Sequence, residues 1–448
     1  RRTTRHALWI SLIGLAVTGL FVFKGWGHPQ YGFNDAVALD NFAGFFNLSF
    51  LVAAGLTILM SDEYLHREGY PVSEYYPLIL LTTAGAMWMA SGTDMMTIFL
   101  GLEVMSVSLY VLAGFFRGQL RSNEAGLKYF LLGAFSTGFL LYGIALIYGA
   151  TGSTKRTEIG IYLNAHASLL SNPMTLAGLG LLSIGFLFKI AAAPFHMWTP
   201  DVYEGAPTPI TAFMSAGPKA AAFAAFMRIM EYSFFSLKPE WTAMLWVLAV
   251  LTMIVGNVIA ISQTNVKRML AYSSIAHAGY ALVGMVAANE IGYSGLLFYM
   301  LAYSFMNIGA FAVLVLAGKK GEDNLTLDGL SGFGYKRPFL GVAMAIFLFS
   351  LMGLPPTAGF AGKFYIFAGA IKAGYVWLAV IGVLNSAVSL YYYLRVMVYM
   401  YFRDPVEDYS WVAMPASVVV SIVFAIAGCL YLGIVPGFVM ELAKLAIF

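Results

Sequence analysis

Cysteine and charge are what this sequence has least of. A single cysteine, Cys429, occurs in 448 residues, so the chain alone can build neither a disulfide nor a cysteine-ligated iron–sulfur cluster. Lys, Arg, Asp and Glu make up 10% of the residues and hydrophobic ones 60%, with a mean hydropathy of +0.78. A water-facing surface needs roughly 25–35% charge, which excludes a soluble globular domain. The net charge of +3 is small and scattered, so nucleic acid is not a partner to expect. Also missing are a Gly-x-Gly-x-x-Gly fingerprint, a phosphate loop, a His-Glu-x-x-His pair and any Cys/His cluster at metal spacing. Cofactor and metal chemistry therefore belongs to other polypeptides, if the chain serves any.

What fills the chain is a series of apolar runs of about 18–25 residues, each long enough to cross about 30 Å of hydrocarbon as a helix. The pattern predicts an all-α polytopic membrane protein, one integral membrane domain over 1–448. Thirteen crossings are expected, at 7–24, 42–60, 75–91, 94–116, 126–150, 173–197, 208–231, 241–262, 269–287, 292–317, 338–371, 375–401 and 411–433. The segment 338–371 is too long for one straight helix and carries Gly353-Leu-Pro-Pro-Thr-Ala-Gly359 at its middle. Two adjacent prolines remove two helix hydrogen bonds, so a discontinuous helix is expected there. Pro194, just past Lys189, predicts a milder break in 173–197.

Orientation follows from the Lys/Arg bias of the short loops. With the N-terminal arginines placed in the cytoplasm, that side collects Arg1, Arg2, Arg5, Arg67, Arg117, Arg121, Lys267, Arg268, Lys319, Lys320, Lys336, Arg337 and Arg403, and the other only Lys24, Lys155, Arg156, Lys238, Lys372 and Lys444. Thirteen against six places the C-terminus outside, in a bacterial inner membrane by preference over an organelle. The chain opens on arginines with no initiator Met and no cleavable signal peptide, and a preceding N-terminal piece, up to a whole helix, is expected.

Gly126-Leu-Lys-Tyr-Phe-Leu-Leu and Gly295-Leu-Leu-Phe-Tyr-Met-Leu each open a long span, and the two spans run in opposite directions. That is a faint sign of an inverted repeat, the way many transporters build two half-channels around midplane sites.

Four charges lie alone inside apolar spans: Glu103, Lys189, Lys219 and Lys363. Each would cost several kcal/mol at the bilayer centre unless paired or hydrated, which makes each a functional candidate. The bland alternative for Glu103 is a protonated carboxyl hydrogen-bonded within the bundle. Lys189 and Lys219 are too far from a span end to snorkel comfortably. Lys363 follows the predicted break, near a helix N-terminus whose positive partial charge opposes an ammonium; its bland alternative is to cap carbonyls of the broken helix. Lys128, near the start of its span, is interfacial or functional. His277, at mid-span, is a relay candidate or a satisfied core residue, whereas His196 reads as structural. Asp94, Asp201 and Glu204 fall at span ends, where solvated or capping roles fit better.

Magnitudes favour switching. A carboxylate and an ammonium about 4 Å apart attract by roughly 4 kcal/mol at an effective dielectric of 20, equivalent to about a thousandfold in proton affinity. Moving one charge across 100 mV involves only about 2.3 kcal/mol. Making and breaking one Glu–Lys contact could thus drive a proton off a lysine, and Glu103 with Lys189 is the pair the sequence suggests.

Two segments say more. Ala193-Pro-Phe-His-Met-Trp-Thr-Pro-Asp-Val-Tyr-Glu-Gly-Ala-Pro-Thr-Pro209 and Gly353-Leu-Pro-Pro-Thr-Ala-Gly-Phe-Ala-Gly-Lys-Phe364 resemble signature segments of the antiporter-like membrane subunits of respiratory complex I. The resemblance is to the subunit N (NADH dehydrogenase subunit 2) family, from the first span through the last; the related M subunit typically carries a glutamate where Lys363 stands. It implies fourteen helices, of which thirteen fall in this chain, in two inverted five-helix repeats, here about 75–231 and 241–401, each with one discontinuous helix, followed by a C-terminal helix and tail at 411–448. It also implies Glu103 and Lys189 as an input pair, Lys219 as central relay, Lys363 as exit group, Lys128 as an additional lysine and His277 as a polar relay. NADH, FMN, iron–sulfur clusters and quinone would sit on other subunits, and the partners would be antiporter-like M, small K/J-type subunits and lipid. A subunit of an Mrp-type cation/proton antiporter is the alternative, although intramembrane carboxylates for a sodium site are scarce. A purely structural subunit is a third reading, and the electron donor (NADH, ferredoxin or an F420-type relative) stays open.

Overall fold

The computed structural model describes residues 2–322, 324–406 and 409–447, so Arg1 of the basic N-terminal cluster lies outside the described residues. Helices account for almost all of it. In chain order they are α1 (Arg2–Lys24), α2 (Asn41–Glu68), α3 (Tyr75–Ser91), α4 (Met95–Ala113), α5 (Leu120–Thr151), α6 (Arg156–Ala165), α7 (Pro173–Lys189), α8 (Thr199–Gly205), α9 (Thr208–Ser233), α10 (Lys238–Ser262), α11 (Val266–Ala287), α12 (Glu290–Ala317), α13 (Phe333–Lys336), α14 (Pro338–Met352), α15 (Ala358–Lys372), α16 (Val376–Phe402), α17 (Ala416–Ile434) and α18 (Gly437–Leu445). The helices begin where a short polar side chain can hold free N–H groups. Asp40 accepts from Ala43 N, Asp94 from Met96 N, Asn265 from Arg268 N and Asn289 from Gly292 N.

Among the described residues, ten helices are long and apolar enough to cross a membrane, or eleven if the pair bent by 114° between Asp328–Lys336 and Pro338–Met352 counts as one span. The sequence predicts thirteen crossings. The difference lies in helices shorter than the roughly 20 residues a crossing needs: α3 and α7 have 17 residues each, α14 and α15 have 15 each. The predicted break at 353–357 is present between α14 and α15, and the one after Lys189 separates α7 from α8. The all-α expectation misses a small antiparallel hairpin, β1 (Gln30–Gly32) and β2 (Val37–Leu39), in the link from α1 to α2. It turns through Phe33, Asn34 and Asp35, all at positive φ. The segment 411–433 starts its helix only at Ala416, after Pro415, and the tail adds the short α18.

The bundle is apolar on its outer surface as well as in its interior. The apolar stretch of α9 is entirely buried and those of α11 and α12 are 94% buried, whereas that of α1 is 17% buried. Around these central helices, α1 turns Trp9, Ile13 and Phe21 outward and α16 turns out Trp377, Leu384 and Tyr391, as an apolar surroundings requires. Close helix approach rests on missing side chains. A Cβ on Gly85 of α3 would lie 2.5 Å from the Met105 nitrogen of α4, and one on Gly256 of α10 would lie 2.5 Å from the Ala276 nitrogen of α11.

Loop contacts sort into two ends. One end joins Val37 to Gly92 and Asp94 to Lys155 by isolated bridges, with Lys238 Nζ 2.8 Å from the Ala288 carbonyl. The other joins Asn265 to Thr326, Lys267 to Glu322 at 2.6 Å and Arg337 Nε to the Tyr409 carbonyl at 3.0 Å. Each of these contacts links loops that the thirteen expected crossings would put on one side.

Candidate functional site

Lys189, Lys219, Lys363 and His277 are all buried, at 4, 3, 4 and 2% exposure, while Glu103 is only half-buried. Each of the four has hydrogen-bond partners of its own, and Glu103 stands apart from them.

Lys189 ends α7. Its ammonium donates to the Tyr110 hydroxyl at 3.3 Å and lies 5.2, 5.3 and 5.8 Å from the ring centres of Tyr110, Tyr129 and Phe188. Aromatic faces of this kind hold a cation through the ring quadrupole. Trp198 closes the box, stacked on Tyr129 at 4.5 Å and bonded through Nε1 to the Phe188 carbonyl at 3.0 Å. The expected Glu103–Lys189 contact is not made. Glu103 stands on the face of α4 that turns Leu100, Val107 and Val111 outward, at 52, 53 and 48% exposure, and its buried Oε1 has no hydrogen-bond partner among the described residues. Tyr110, two turns further on and so about 10 Å along the axis, takes the lysine instead. Gly133 of α5 makes room for that ring, since a Cβ there would meet Tyr110 Cζ at 2.7 Å. Gly133→Ala should therefore displace Tyr110, destabilise the bundle by about 1–3 kcal/mol through overpacking and loosen Lys189; thermal unfolding of the assembled protein checks it.

Lys219 follows Pro218 inside α9, where the proline frees a helix carbonyl. Its ammonium donates to the Ser274 carbonyl at 3.0 Å and to the Ser274 hydroxyl, and lies 5.8 Å from the Tyr203 ring centre. From Ser274 the polar face of α11 continues one turn on. The neighbouring Ser273 hydroxyl bonds Tyr393 Oη of α16, Tyr393 Oη lies 3.0 Å from His277 Nε2, and His277 Nδ1 lies 2.5 Å from Tyr299 Oη of α12. Next on the same face is Tyr280, whose hydroxyl accepts from Asn257 Nδ2 at 3.1 Å.

Lys363 lies at the far side of Tyr280, its ammonium 4.6 Å from that ring centre. It donates to the Leu351 and Met352 carbonyls at 3.0 Å each and to Ser386 Oγ at 2.8 Å. This revises the electrostatics expected from sequence. The lysine sits beyond the first turn of α15, and its charge meets the carbonyl end of α14, whose partial negative charge attracts a cation. The capping geometry offered as the bland alternative is the one observed, and Ser386 adds a side-chain partner to it.

Lys128 is at the edge. Its side chain is 40% exposed and pairs with Glu124 at 2.6 Å and Asp201 at 2.7 Å. Asp201 also meets Arg268 at 2.8 Å, which in turn meets Glu204 at 2.8 Å. Partial burial works against the charge on Asp201, but Lys128 and Arg268 win and hold its carboxyl below the usual range. These side chains line a cavity of about 210 Å³ at the basic end of the bundle. Of the residues expected only to cap or face solvent, Asp94 caps α4, whereas Asp201 and Glu204 belong to this ion-pair network. His196 is half-buried in the link between α7 and α8. Among the described residues no three His, Cys, Asp or Glu side chains cluster as a metal site would require.

Residues 92–389 match the membrane-domain family described as NADH:quinone oxidoreductase/Mrp antiporter. Over 442 residues the chain is 60% identical to NADH-quinone oxidoreductase subunit N of Trichlorobacter lovleyi, a match covering 99% of this chain and 91% of that protein. The chain belongs to the NADH-quinone oxidoreductase subunit N family. Subunit N is an antiporter-like, proton-translocating membrane subunit of complex I. A chain of respiratory complex I from Thermus thermophilus, solved with aureothin bound, superposes with a TM-score of 0.84 at 38% identity, over 98% of this chain and 95% of that one. A chain of the Mrp complex from Dietzia sp. also gives 0.84, over 98% and 90%, at 21% identity, which is a likeness of fold. For a subunit N chain, three residues that the sequence reading passed over stand out: Tyr110, Ser274 and Tyr393. Each is an unremarkable core residue by type. Only Ser274 had a signal, the helical spacing of Ser273, Ser274, His277 and Tyr280 along one face of α11.

Proposed function

We propose that this chain carries protons through the membrane arm of complex I along the buried row Lys189, Lys219, His277, Lys363. What supports the reading above all is a row of buried hydrogen bonds along α11, Lys219 to Ser274 and, beside it, Ser273 to Tyr393 and Tyr393 to His277. A proton needs consecutive donors and acceptors, and here these are neutral hydroxyls and an imidazole at membrane depth. Lys219 and Lys363 flank this row as the storage groups, and water would bridge Ser274 to Ser273 and His277 to Lys363. Water would bridge the aromatic stretch between Lys189 and Lys219. Glu103 acts as the input switch: it is apart from Lys189 in this conformation, and quinone reduction elsewhere in the complex makes and breaks their contact, the lysine holding its proton while the carboxylate is near and releasing it when the carboxylate withdraws. Lys128 and its ion-pair network sit at the cytoplasmic mouth.

The same proposal takes the chain as thirteen crossings in two inverted five-helix repeats, about 75–231 and 241–401, with α7/α8 and α14/α15 as the paired broken helices. Gly85 on α3 and Gly256 on α10, each opening its repeat with the same close approach to the next helix, support that correspondence. The membrane is then a bacterial inner membrane with the C-terminus outside. The neighbours are the antiporter-like M subunit, small K/J-type subunits and lipid, and NADH, FMN, iron–sulfur clusters and quinone are held elsewhere in the complex.

The test is to replace Glu103 and Lys189 by Ala separately and measure proton pumping and quinone reduction in vesicles, with assembly checked. Both activities should fall together in assembled complex; normal pumping by assembled variants would sink the proposal. Tyr393→Phe should act more mildly. Losing one hydrogen bond of roughly 1 kcal/mol should slow pumping about fivefold without changing assembly.

A further inference from the structure

A second cluster of buried charge lies at the opposite end from Lys128, where α6 packs on α9, and proton transfer makes no use of it. Arg228 of α9 is fully buried, its guanidinium 4.5 Å from the Phe42 ring centre, and Nη2 pairs with the Asp40 carboxylate. Arg156, the first residue of α6, is 3% exposed and stacks on Tyr232 at 4.1 Å. Tyr232 stands one helical turn beyond Arg228 on α9, so the two guanidiniums occupy neighbouring positions on one helix face. Arg156 is held there by its backbone, whose nitrogen donates to the Thr93 carbonyl at 3.0 Å and whose carbonyl accepts from Ser233 Oγ at 3.1 Å.

Two facts make the arrangement incomplete. Nε and Nη1 of both arginines have no hydrogen-bond partner among the described residues, and the carboxylate paired with them there is that of Asp40. The aromatic rings cover guanidinium faces and leave the in-plane N–H edges to be satisfied by something else. Tyr31, Tyr232 and Asp40 are the other titratable groups acting on Arg156; Glu158, on α6 itself, is taken up by Ser153 at 2.6 Å and Lys155 at 3.4 Å. Burial first, and Arg228 second, lower the pKa of Arg156 to about 10, so it still carries its charge at neutral pH. A buried positive charge left over in this way costs several kcal/mol unless an anion joins it.

We propose that Arg156 and Arg228 form a binding site for a small inorganic anion, a halide or phosphate, which completes their hydrogen bonding and pins α6 to α9. Planar guanidinium forks suit either ion. The experiment uses the whole assembled complex, exchanged into gluconate and then titrated with chloride, bromide or phosphate at constant ionic strength, with thermal unfolding as the readout. Expected is a saturable rise of a few degrees with chloride or phosphate that gluconate does not give and that Arg156→Met abolishes; the ion that acts names the natural occupant. An equal response to gluconate, or one unchanged in Arg156→Met, overturns the proposal. Should that variant fail to assemble, bromide anomalous scattering on the unaltered complex decides: a peak between the two guanidiniums supports the site, and none at saturating bromide overturns it.

Discussion

Lys219→Met should cut proton pumping by about tenfold or more while leaving the complex assembled. Methionine nearly keeps the length and volume of the lysine stem and drops its charge. A buried ammonium without a carboxylate partner is costly, and here its hydrogen bonds among the described residues go to the Ser274 carbonyl and hydroxyl. Swapping a buried charge for an apolar group of similar volume is often neutral or stabilising, so a folding defect is not the expected result. Ser274 keeps a way to be satisfied, because a serine hydroxyl can turn to a nearby backbone carbonyl. Function should suffer instead. Without the ammonium the tract through Ser273, Tyr393 and His277 has no group at its entrance able to take up and pass on a proton, and general acid–base groups typically carry factors of about 10²–10⁴. Because pumping and quinone reduction are coupled, both rates should fall. Pumping at the normal rate in an assembled Lys219→Met complex would remove Lys219 from the path. Lys219→Arg sharpens the test: it keeps the charge but holds its proton too tightly to release it, so it should pump no better than the methionine variant.

Which parts of this were legible in the sequence follows a physical line. A span is a property of some twenty consecutive residues, so the long crossings could be read directly, as could the break at Pro355 and Pro356, where two N–H donors are missing. A contact is a property of residues far apart in the chain. Lys363 illustrates the difference. Its position after the break was plain, but the sequence put it against the start of α15, and only the packing brings it to the Leu351 and Met352 carbonyls. Glu103 and Lys189 were each found as lone charges, but whether they touch in a given conformation depends on the direction in which α4 faces, which cannot be read from one sequence. Tyr110 and Tyr393 carried no signal of their own, since a tyrosine in a 60% hydrophobic chain looks like packing until its hydroxyl is seen to meet a lysine or a histidine. The hairpin at 30–39 was missed because it is too short to show alternation.

Glu322→Gln should give the largest loss of stability among single substitutions at the basic end, about 3–5 kcal/mol. Glu322 lies in the loop after α12 and reaches back over the bundle to pair with Lys267 of α11 at 2.6 Å, and it also accepts from Thr208. Lys267 is itself only 2% exposed along its side chain, and its other bond is to the Ala206 carbonyl at 2.8 Å. One ion pair thus ties the loop to the starts of both α9 and α11, the helices at the centre of the bundle. Removing the negative charge leaves a buried ammonium facing a neutral amide. Replacing both partners, Glu322→Gln with Lys267→Met, should recover most of the loss, and a double-mutant cycle then gives the coupling directly. Acid should mimic the single substitution. Burial alone would raise the Glu322 pKa, but Lys267, then Thr208 and Tyr64, hold it below 4.5. A carboxyl lowered by folding contributes stability that is fully present above its unfolded value and is lost as pH falls through its folded one. Melting temperatures compared between neutral pH and pH about 4 and below should therefore drop more for the native protein than for the doubly substituted one. Equal acid sensitivity of the two would show that the pair does not hold the loop, and that the central helices are fixed by packing alone.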